Sequence, residues 1–148
     1  MEFTVKHIIE LNNAIDEMMY LEEAGYDFNK FLAKTKKKIK PIVENAEEQL
    51  KLQRESAKQL VVRYCDKDNE GKPVIKNNQN GAEEYQGLSK GLKPEYDAEM
   101  EKIENDQKAV LEKKEEIDPE EIEKKKIPKG LKGIYFYYIQ DFIKDENE

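Results

Sequence analysis

The chain has 148 residues, of which 40% are charged and 37% hydrophobic, with a net charge of −7 and a mean hydropathy of −0.98. This length suits one domain, so we expect residues 1–148 to form a single helical domain whose tail, residues 144–148, is frayed. A single Cys excludes an intrachain disulfide, and one Cys with one His excludes a zinc site of the usual kind.

The sequence offers no candidate membrane segment. Its longest apolar run, Ile134 to Ile139, is far shorter than the ~20 residues that span a bilayer. The start of the chain, Met1-Glu2-Phe3, is not the basic start of a signal peptide. We therefore expect a cytoplasmic protein that does not contact a membrane.

The first apolar segment predicts a helix from about Val5 to Ala24. Thr4 can cap its start through the side-chain hydroxyl, and Gly25 suits the left-handed position that ends a helix. Apolar residues recur at steps of three and four, which is the period of one helix face. They are Ile8, Leu11, Ile15 and Met18.

A longer stripe predicts a central helix from about Asp27 to Tyr64. Its members recur every 3.6 residues on average, which indicates a straight α-helix and not a supercoiled heptad. Pro41 removes a backbone donor, so we expect a kink there, or two helices that meet with Pro41 opening the second. Because the stripe is only partly apolar, shorter helices must pack against it. It consists of Phe28, Leu32, Thr35, Ile39, Ile42, Ala46, Leu50, Gln53, Ala57, Leu60 and Tyr64.

Residues 65–81 break the helical pattern. Asp66 to Gly71 has turn chemistry, and Lys72 to Lys76 has the composition of a short strand. A small β-hairpin with its first strand near Val61 to Cys65 would compete with the last turn of the central helix. The pattern leaves both alternatives open.

The same turn resembles the first half of a calcium-binding loop through Asp66, Asp68 and Glu70. Such a loop needs a bidentate Glu at its twelfth position and usually an aliphatic residue at its eighth. Asn77 and Pro73 stand there instead, so we interpret the segment as a polar turn and expect no metal site.

Three further helices complete the predicted fold, which is mainly α with a small β-hairpin. The third helix runs from about Pro94 to Lys114. A capping Asp followed by Pro, in Asp118-Pro119-Glu120-Glu121, predicts a short helix that ends before Pro128. The last helix runs from about Leu131 to Lys144.

Charge is distributed unevenly, with a net −5 over residues 1–24, +5 over residues 25–64 and −7 over residues 95–148. This pattern predicts that acidic helices flank a basic one. The lysines from Lys34 to Lys40 include no Arg and no aromatic residue that would stack a base, so we interpret them as a solvated or self-paired face and do not expect nucleic acid as a partner. The acidic third helix leaves an alternative open, that of a nucleic-acid mimic, although Lys102 and Lys108 dilute its charge.

Few residues could support catalysis. His7 is the one imidazole, and a nucleophilic pair would require it to meet Ser56, Ser89 or Cys65 from far along the chain. The sequence contains no glycine-rich phosphate loop. We therefore expect no enzymatic activity, no catalytic residues and no cofactor.

The last predicted helix carries the densest apolar group of the chain. From Ile134 to Ile139 no polar face remains, so this helix is either buried or offers an apolar surface to a partner. Tyr suits interfaces because its ring is apolar and its tip polar. The candidate partner-binding residues are Tyr135, Phe136, Tyr137, Tyr138 and Phe142.

Three stretches resemble an uncharacterised family of small proteins from tailed phages and prophages of low-GC Gram-positive bacteria. They are Phe3 to Leu11, Tyr64 to Val74 and Tyr138 to Ile143. The resemblance implies a phage protein, present in the host bacterial cytoplasm, that binds host or virion proteins. The family has no established catalytic residues that could be carried over.

The function we expect is a phage-encoded protein-binding module that inhibits or redirects a host bacterial protein, such as a defence component. A first alternative is a structural or assembly factor of the phage particle that self-associates through the long, coiled-coil-like helix as a homo-oligomer. The second alternative is the acidic nucleic-acid mimic.

Overall fold

The computed structural model of the protein describes residues 1–21 and 24–144, and these form four α-helices and three pairs of short strands. This confirms the predicted mainly α fold with a long helix, shorter helices and a small hairpin. The helices are α1 (Val5–Met18), α2 (Tyr26–Tyr64), α3 (Pro94–Glu112) and α4 (Gly133–Ile139). The strands are β1 (Glu2–Thr4), β2 (Ile75–Asn77), β3 (Glu83–Tyr85), β4 (Lys114–Glu116), β5 (Ile122–Glu123) and β6 (Ile143–Lys144).

The chain divides into two compact units. Unit 1 comprises Met1–Glu47 and Leu111–Glu148, and unit 2 comprises Glu48–Val110. The division into units does not test the single domain expected from the length, which stays a prediction. Of the tail expected to be frayed, Lys144 pairs with Glu123 across β5 and β6, and residues 145–148 lie outside the described part of the chain.

Helix α1 begins as predicted and ends earlier. The Thr4 hydroxyl oxygen accepts a hydrogen bond from the His7 backbone N–H at 3.1 Å, so the predicted cap is present. The helix ends at Met18. The predicted end near Ala24 was therefore wrong. Ala24 is buried in the core, and Gly25, at φ +72°, takes the left-handed conformation before α2.

Helix α2 is one continuous element through Pro41, so the alternative of two meeting helices is wrong. The Pro41 ring is exposed and needs no space in the core, which lets the helix tolerate it. The kink stays a prediction. Every residue of the predicted stripe is buried or half-buried, as the period of the stripe required.

The core of unit 1 lies between α1, the first half of α2 and the C-terminal segment. Phe28, Leu32 and Ile39 of α2 are fully buried in the same cluster as the predicted face of α1. From the C-terminal segment this cluster takes Ile117, Ile122, Ile139 and Phe142. Lysines at the edge pair across elements, Lys36 with Asp16 and Lys38 with Glu120.

Two strand pairs that the sequence did not predict tie the C-terminal segment into unit 1. Strand β1 pairs antiparallel with β4, and β5 pairs parallel with β6. Because Lys114 pairs with Thr4, α3 ends at Glu112 and not at Lys114. Since Ile143 pairs with Ile122, the last helix is shorter than predicted and ends at Ile139, followed by one 3₁₀ turn over Gln140–Phe142.

The short helix predicted at Asp118-Pro119-Glu120-Glu121 is wrong, because these residues have no regular secondary structure. Ile117 and Ile122 on either side of them are both buried, and an extended chain places both in the core. The Lys38 ammonium also donates a 2.8 Å hydrogen bond to the Asp118 carbonyl, which holds the segment against α2. Tertiary burial therefore outweighs the local capping signal.

The hairpin of unit 2 lies further along the chain than the alternative with Val61 to Cys65 as first strand, because α2 continues to Tyr64. It consists of β2 and β3. Two turns of the same form shape this region. In each, the side-chain oxygen of Asp68 or Asn78 accepts from the backbone N–H groups two and four residues further on, at 2.8–3.0 Å. Gly71 and Gly81 supply the left-handed fourth position at φ +79° and +80°.

Substitution of Phe136 and of Phe142, near the C-terminus, tests where the core of unit 1 ends. Phe142 is 1% exposed and Phe136 is 39% exposed. Phe142→Ala is therefore expected to lower the free energy of unfolding by about 3–5 kcal/mol, since it empties a core position. Phe136→Ala, the matched control, is expected to cost less than about 1 kcal/mol. Urea unfolding of both variants measures this, and equal losses would contradict the burial described here.

Candidate protein-binding surface

The five predicted partner-binding residues do not share one environment. Phe142 lies in the core and is not available to a partner. Tyr135 and Tyr138 are half-buried and pack against the core, whereas Phe136 and Tyr137 are exposed, Tyr137 to 54%. Of the five, only these last two therefore leave a substantial part of the side chain accessible, 39% of Phe136 and 54% of Tyr137.

A third exposed apolar side chain, Ile134, lies on the same side of α4 as Tyr137, whereas Phe136 is about 160° around the helix from Ile134 and lies on the flank. Ile134 is 64% exposed and lies one helical turn before Tyr137. Sequence reasoning did not select it, because the candidates were chosen for their aromatic rings. Its signal was its place in the apolar run from Ile134 to Ile139. We call Ile134, Phe136 and Tyr137 the α4 surface.

Aromatic contacts hold this surface from behind. The Tyr137 ring packs edge-on against Tyr138, with ring centroids 5.1 Å apart, and lies 6.0 Å from the His7 ring. His7 is stacked on Phe3 at 5.3 Å, and Phe3 in turn contacts the buried Phe142 at 5.8 Å. The exposed Tyr137 is thus the outer end of a series of rings that reaches the core, which restricts its motion.

His7 has a structural place in this series. Its neighbours are rings of Phe3, Tyr137 and Tyr138, and its buried Nε2 atom has no hydrogen-bond partner among the described residues. Cys65 is buried at the end of α2, where its thiol donates a 3.4 Å hydrogen bond to the Val62 carbonyl. Cys65 therefore packs as a small buried residue.

The half-buried tyrosines are fixed to α1 by their polar tips. The Tyr138 hydroxyl donates a 3.2 Å hydrogen bond to Glu10, and burial together with the Glu10 carboxylate raises the pKa of Tyr138. A hydrogen bond to Glu17, with burial and the same negative charge, raises the pKa of Tyr135. The Tyr138 hydroxyl is therefore held as a donor to α1, and the Glu17 carboxylate of α1 lies beside Tyr135.

An open groove lies beside the α4 surface in unit 1. It has a volume of about 440 Å³ and is lined by Tyr20, Leu131, Lys132 and Tyr135, among others. Tyr20 is 87% exposed at its edge. Lys132 is the residue that immediately precedes α4, so a positive charge stands next to the apolar side chains.

The lysine cluster is largely paired within the protein, as the self-paired interpretation expects. Lys36 pairs with Asp16, Lys38 with Glu120 at 3.1 Å, and Lys40 with Glu44 at 3.8 Å. Lys34 and Lys37 form no ion pair within residues 1–21 and 24–144.

The segment that resembles a calcium loop is a turn. The Asp68 carboxylate accepts backbone N–H groups, as described above, and the Asp66 carboxylate lies 3.2 Å from the Lys93 ammonium. Among the described residues no group of three or more His, Cys, Asp or Glu side chains is placed to hold a metal ion. In the same part of the chain, no helix combines the length and apolar character needed to cross a membrane.

Comparison of the chain with protein-family models, with curated proteins and with solved structures finds no match. The resemblance to a phage family stays a prediction.

Titration of the two anchored tyrosines tests how α4 is held. Glu10→Gln is expected to lower the pKa of Tyr138, and Glu17→Gln that of Tyr135, because each change removes a negative charge beside the phenol. Residue-specific NMR of the ring carbons against pH measures this. Exposed Glu47→Gln serves as the control and should move neither.

The same pKa shifts fix the sign of the alkaline effect on stability. The folded state favours the neutral phenols more than the unfolded state does, so the free energy of unfolding should fall as pH rises above about 10. Unshifted Tyr138 and Tyr135 in the wild-type protein would contradict the anchoring of α4 by α1.

Proposed function

We propose that this chain is a protein-binding module and that the α4 surface contacts its partner. The observation that carries this proposal is that α4 is apolar on both sides. Ile139 fills the core, Ile134 and Tyr137 lie on the outer side, and Phe136 is partly exposed on the flank of the helix. A helix that is apolar all round is normally covered on all sides, so the outer side calls for a covering surface.

The order of the α4 surface supports a binding role. Tyr137 rests on His7 and Tyr138, and both half-buried tyrosines of α4 are bonded to α1. A side chain that is already held in place loses little conformational entropy when it is enclosed by a partner. Aromatic residues of this kind are frequent among the few that dominate binding energy.

The α4 surface supplies only part of an interface. An aromatic side chain buries at most about 250 Å² when fully enclosed, and these three side chains are only partly exposed. They offer on the order of 400 Å², about half of the ~800 Å² that each partner contributes to a specific interface, so the contact must extend to neighbouring residues. We infer a partner with an apolar pocket for these side chains and an acidic rim that complements the exposed Lys129 and Lys132.

For the biological setting, we propose a phage protein that inhibits or redirects a host bacterial protein, such as a defence component. The support for this setting is the resemblance of Phe3 to Leu11, Tyr64 to Val74 and Tyr138 to Ile143 to the phage family. The α4 surface would supply the contact through which the host protein is held.

A pair of serine substitutions tests the proposal. Phe136→Ser with Tyr137→Ser is expected to weaken capture of a host protein at least tenfold without unfolding, because neither side chain belongs to the buried core and both are partly exposed. Affinity purification from an extract of a low-GC Gram-positive bacterium, with quantitative mass spectrometry, measures the bound proteins. Circular dichroism verifies the fold.

The matched control replaces two exposed apolar side chains elsewhere, Tyr26→Ser with Leu92→Ser. A genuine partner is retained by the wild-type chain and by this control, and is lost from the α4 variant. If every captured protein binds the α4 variant as well as the wild-type chain, the α4 surface is not the binding site.

A further inference from the structure

Unit 2 has very little core for its size. Among its residues, all of which the structure describes, Leu60 and Cys65 are the only buried hydrophobic ones. Helix α3 has 19 residues, and none of them is buried. Small units with so little enclosed apolar area are marginally stable without additional packing. The helices of unit 2 therefore leave apolar side chains that a further layer would enclose.

The end of α2 lies against the start of α3, and half-buried side chains further along both helices, Gln53 and Ala57 on α2 and Ile103 and Gln107 on α3, indicate antiparallel packing. The last residue of α2, Tyr64, contacts Tyr96 near the start of α3, with ring centroids 5.9 Å apart. Next to this contact, Arg63 pairs with Glu99 at 3.7 Å. With about 100° of rotation per residue, these contacts fix which residues of the two helices share a side.

One side of the helix pair carries Arg63 and Glu99. The same rotation places Arg54, Lys58 and Val61 of α2, and Met100, Glu101 and Glu104 of α3, toward the other side. We call these six residues the open face. Lys58 also lines a groove on the outer surface of α2 together with Val62 and Arg63. Val61 and Met100 are half-buried, and the four charged side chains are exposed.

The open face is divided by charge. Its α2 half is basic through Arg54 and Lys58, and its α3 half is acidic through Glu101 and Glu104. None of these four side chains forms an ion pair with any residue in 1–21 or 24–144. A surface with a positive and a negative half side by side is complementary to a copy of itself turned by half a rotation.

We propose that the open face binds a second copy of this chain and completes an antiparallel four-helix bundle. A twofold axis parallel to the helices sets α2 of each copy against α3 of the other. The register given by Tyr64 and Tyr96 then brings Lys58 near Glu101, and Arg54 near Glu104, of the partner copy. Val61 and Met100 become enclosed, which supplies the core that unit 2 lacks.

A partner of different sequence is less suited to this face. It would need both signs of charge in the same antiparallel order, whereas a second copy presents them by symmetry. This self-association goes beyond the proposed function, because it is argued from residues of unit 2 alone, whereas the α4 surface belongs to unit 1. Failure of one proposal therefore does not imply failure of the other.

The mass of the full chain in solution is the first test. Sedimentation equilibrium is expected to give twice the chain mass of 17.4 kDa at concentrations up to about 100 μM. The dissociation constant should rise at least threefold as salt increases from about 0.05 M to 0.5 M, since ion pairs are screened. A monomer throughout this concentration range, or a dimer that salt does not weaken, overturns the proposal.

Charge reversal with mixing is the decisive test. One variant makes the α2 half acidic, Arg54→Glu with Lys58→Glu, and the other makes the α3 half basic, Glu101→Lys with Glu104→Lys. Each alone places like charges in contact and is expected to be monomeric. Mixed in equal amounts, they restore opposite charges at both contacts and should form a dimer of the two variants.

The control for charge alone is Lys34→Glu with Lys37→Glu, which changes net charge by the same amount as the α2 variant and should remain dimeric. Circular dichroism compares helix content in every variant. If a reversed variant loses helix, the milder pair Arg54→Gln with Lys58→Gln replaces it and is expected to weaken the dimer at least tenfold. Reversed variants that stay dimeric alone, or folded variants that fail to combine when mixed, refute the twofold arrangement.

Discussion

The packing of α1 against the first half of α2 is the constraint on which unit 1 depends. Neither helix is stable by its sequence alone, because α2 is rich in charge and α1 is only fourteen residues long. Burial of Ile8, Ile15 and Phe28 between them provides the surface on which Ile139 and Phe142 then pack. Ile139 and Phe142 take the inward positions of the C-terminal segment. The α4 surface is therefore left exposed.

Periodicity made the helices predictable and left the strand pairs out of reach. The stripe of α2 is visible in the sequence because each member is related to the next by the helix itself, so a partly polar stripe still shows its period. Strands β1 and β4 are related only by their contact with each other. A strand of three residues is too short for its sequence to identify the strand with which it pairs. The capping signal at Asp118 failed for the same reason, because the burial of Ile117 and Ile122 is decided by distant residues.

The candidate site could be located from the sequence but not resolved into its parts. An apolar run without a polar face identifies an unusual helix, but it does not show which side of that helix faces the core. Which of Phe136 and Phe142 faces inward was decided by the end of α4 at Ile139 and the 3₁₀ turn that follows it. Ile134 was visible in the apolar run. It was not among the predicted partner-binding residues, because these were chosen for aromatic character and not for apolar area.

The two halves of α2 show how one helix serves different kinds of contact. Its first half brings large side chains such as Phe28 and Leu32 to a core that excludes water. Its second half carries Gln53 and Ala57 at the equivalent positions of the stripe, so it encloses little area and keeps its charges exposed. Contacts of the first kind depend on apolar area and respond weakly to salt, whereas contacts made by Arg54 and Lys58 are screened as ionic strength rises.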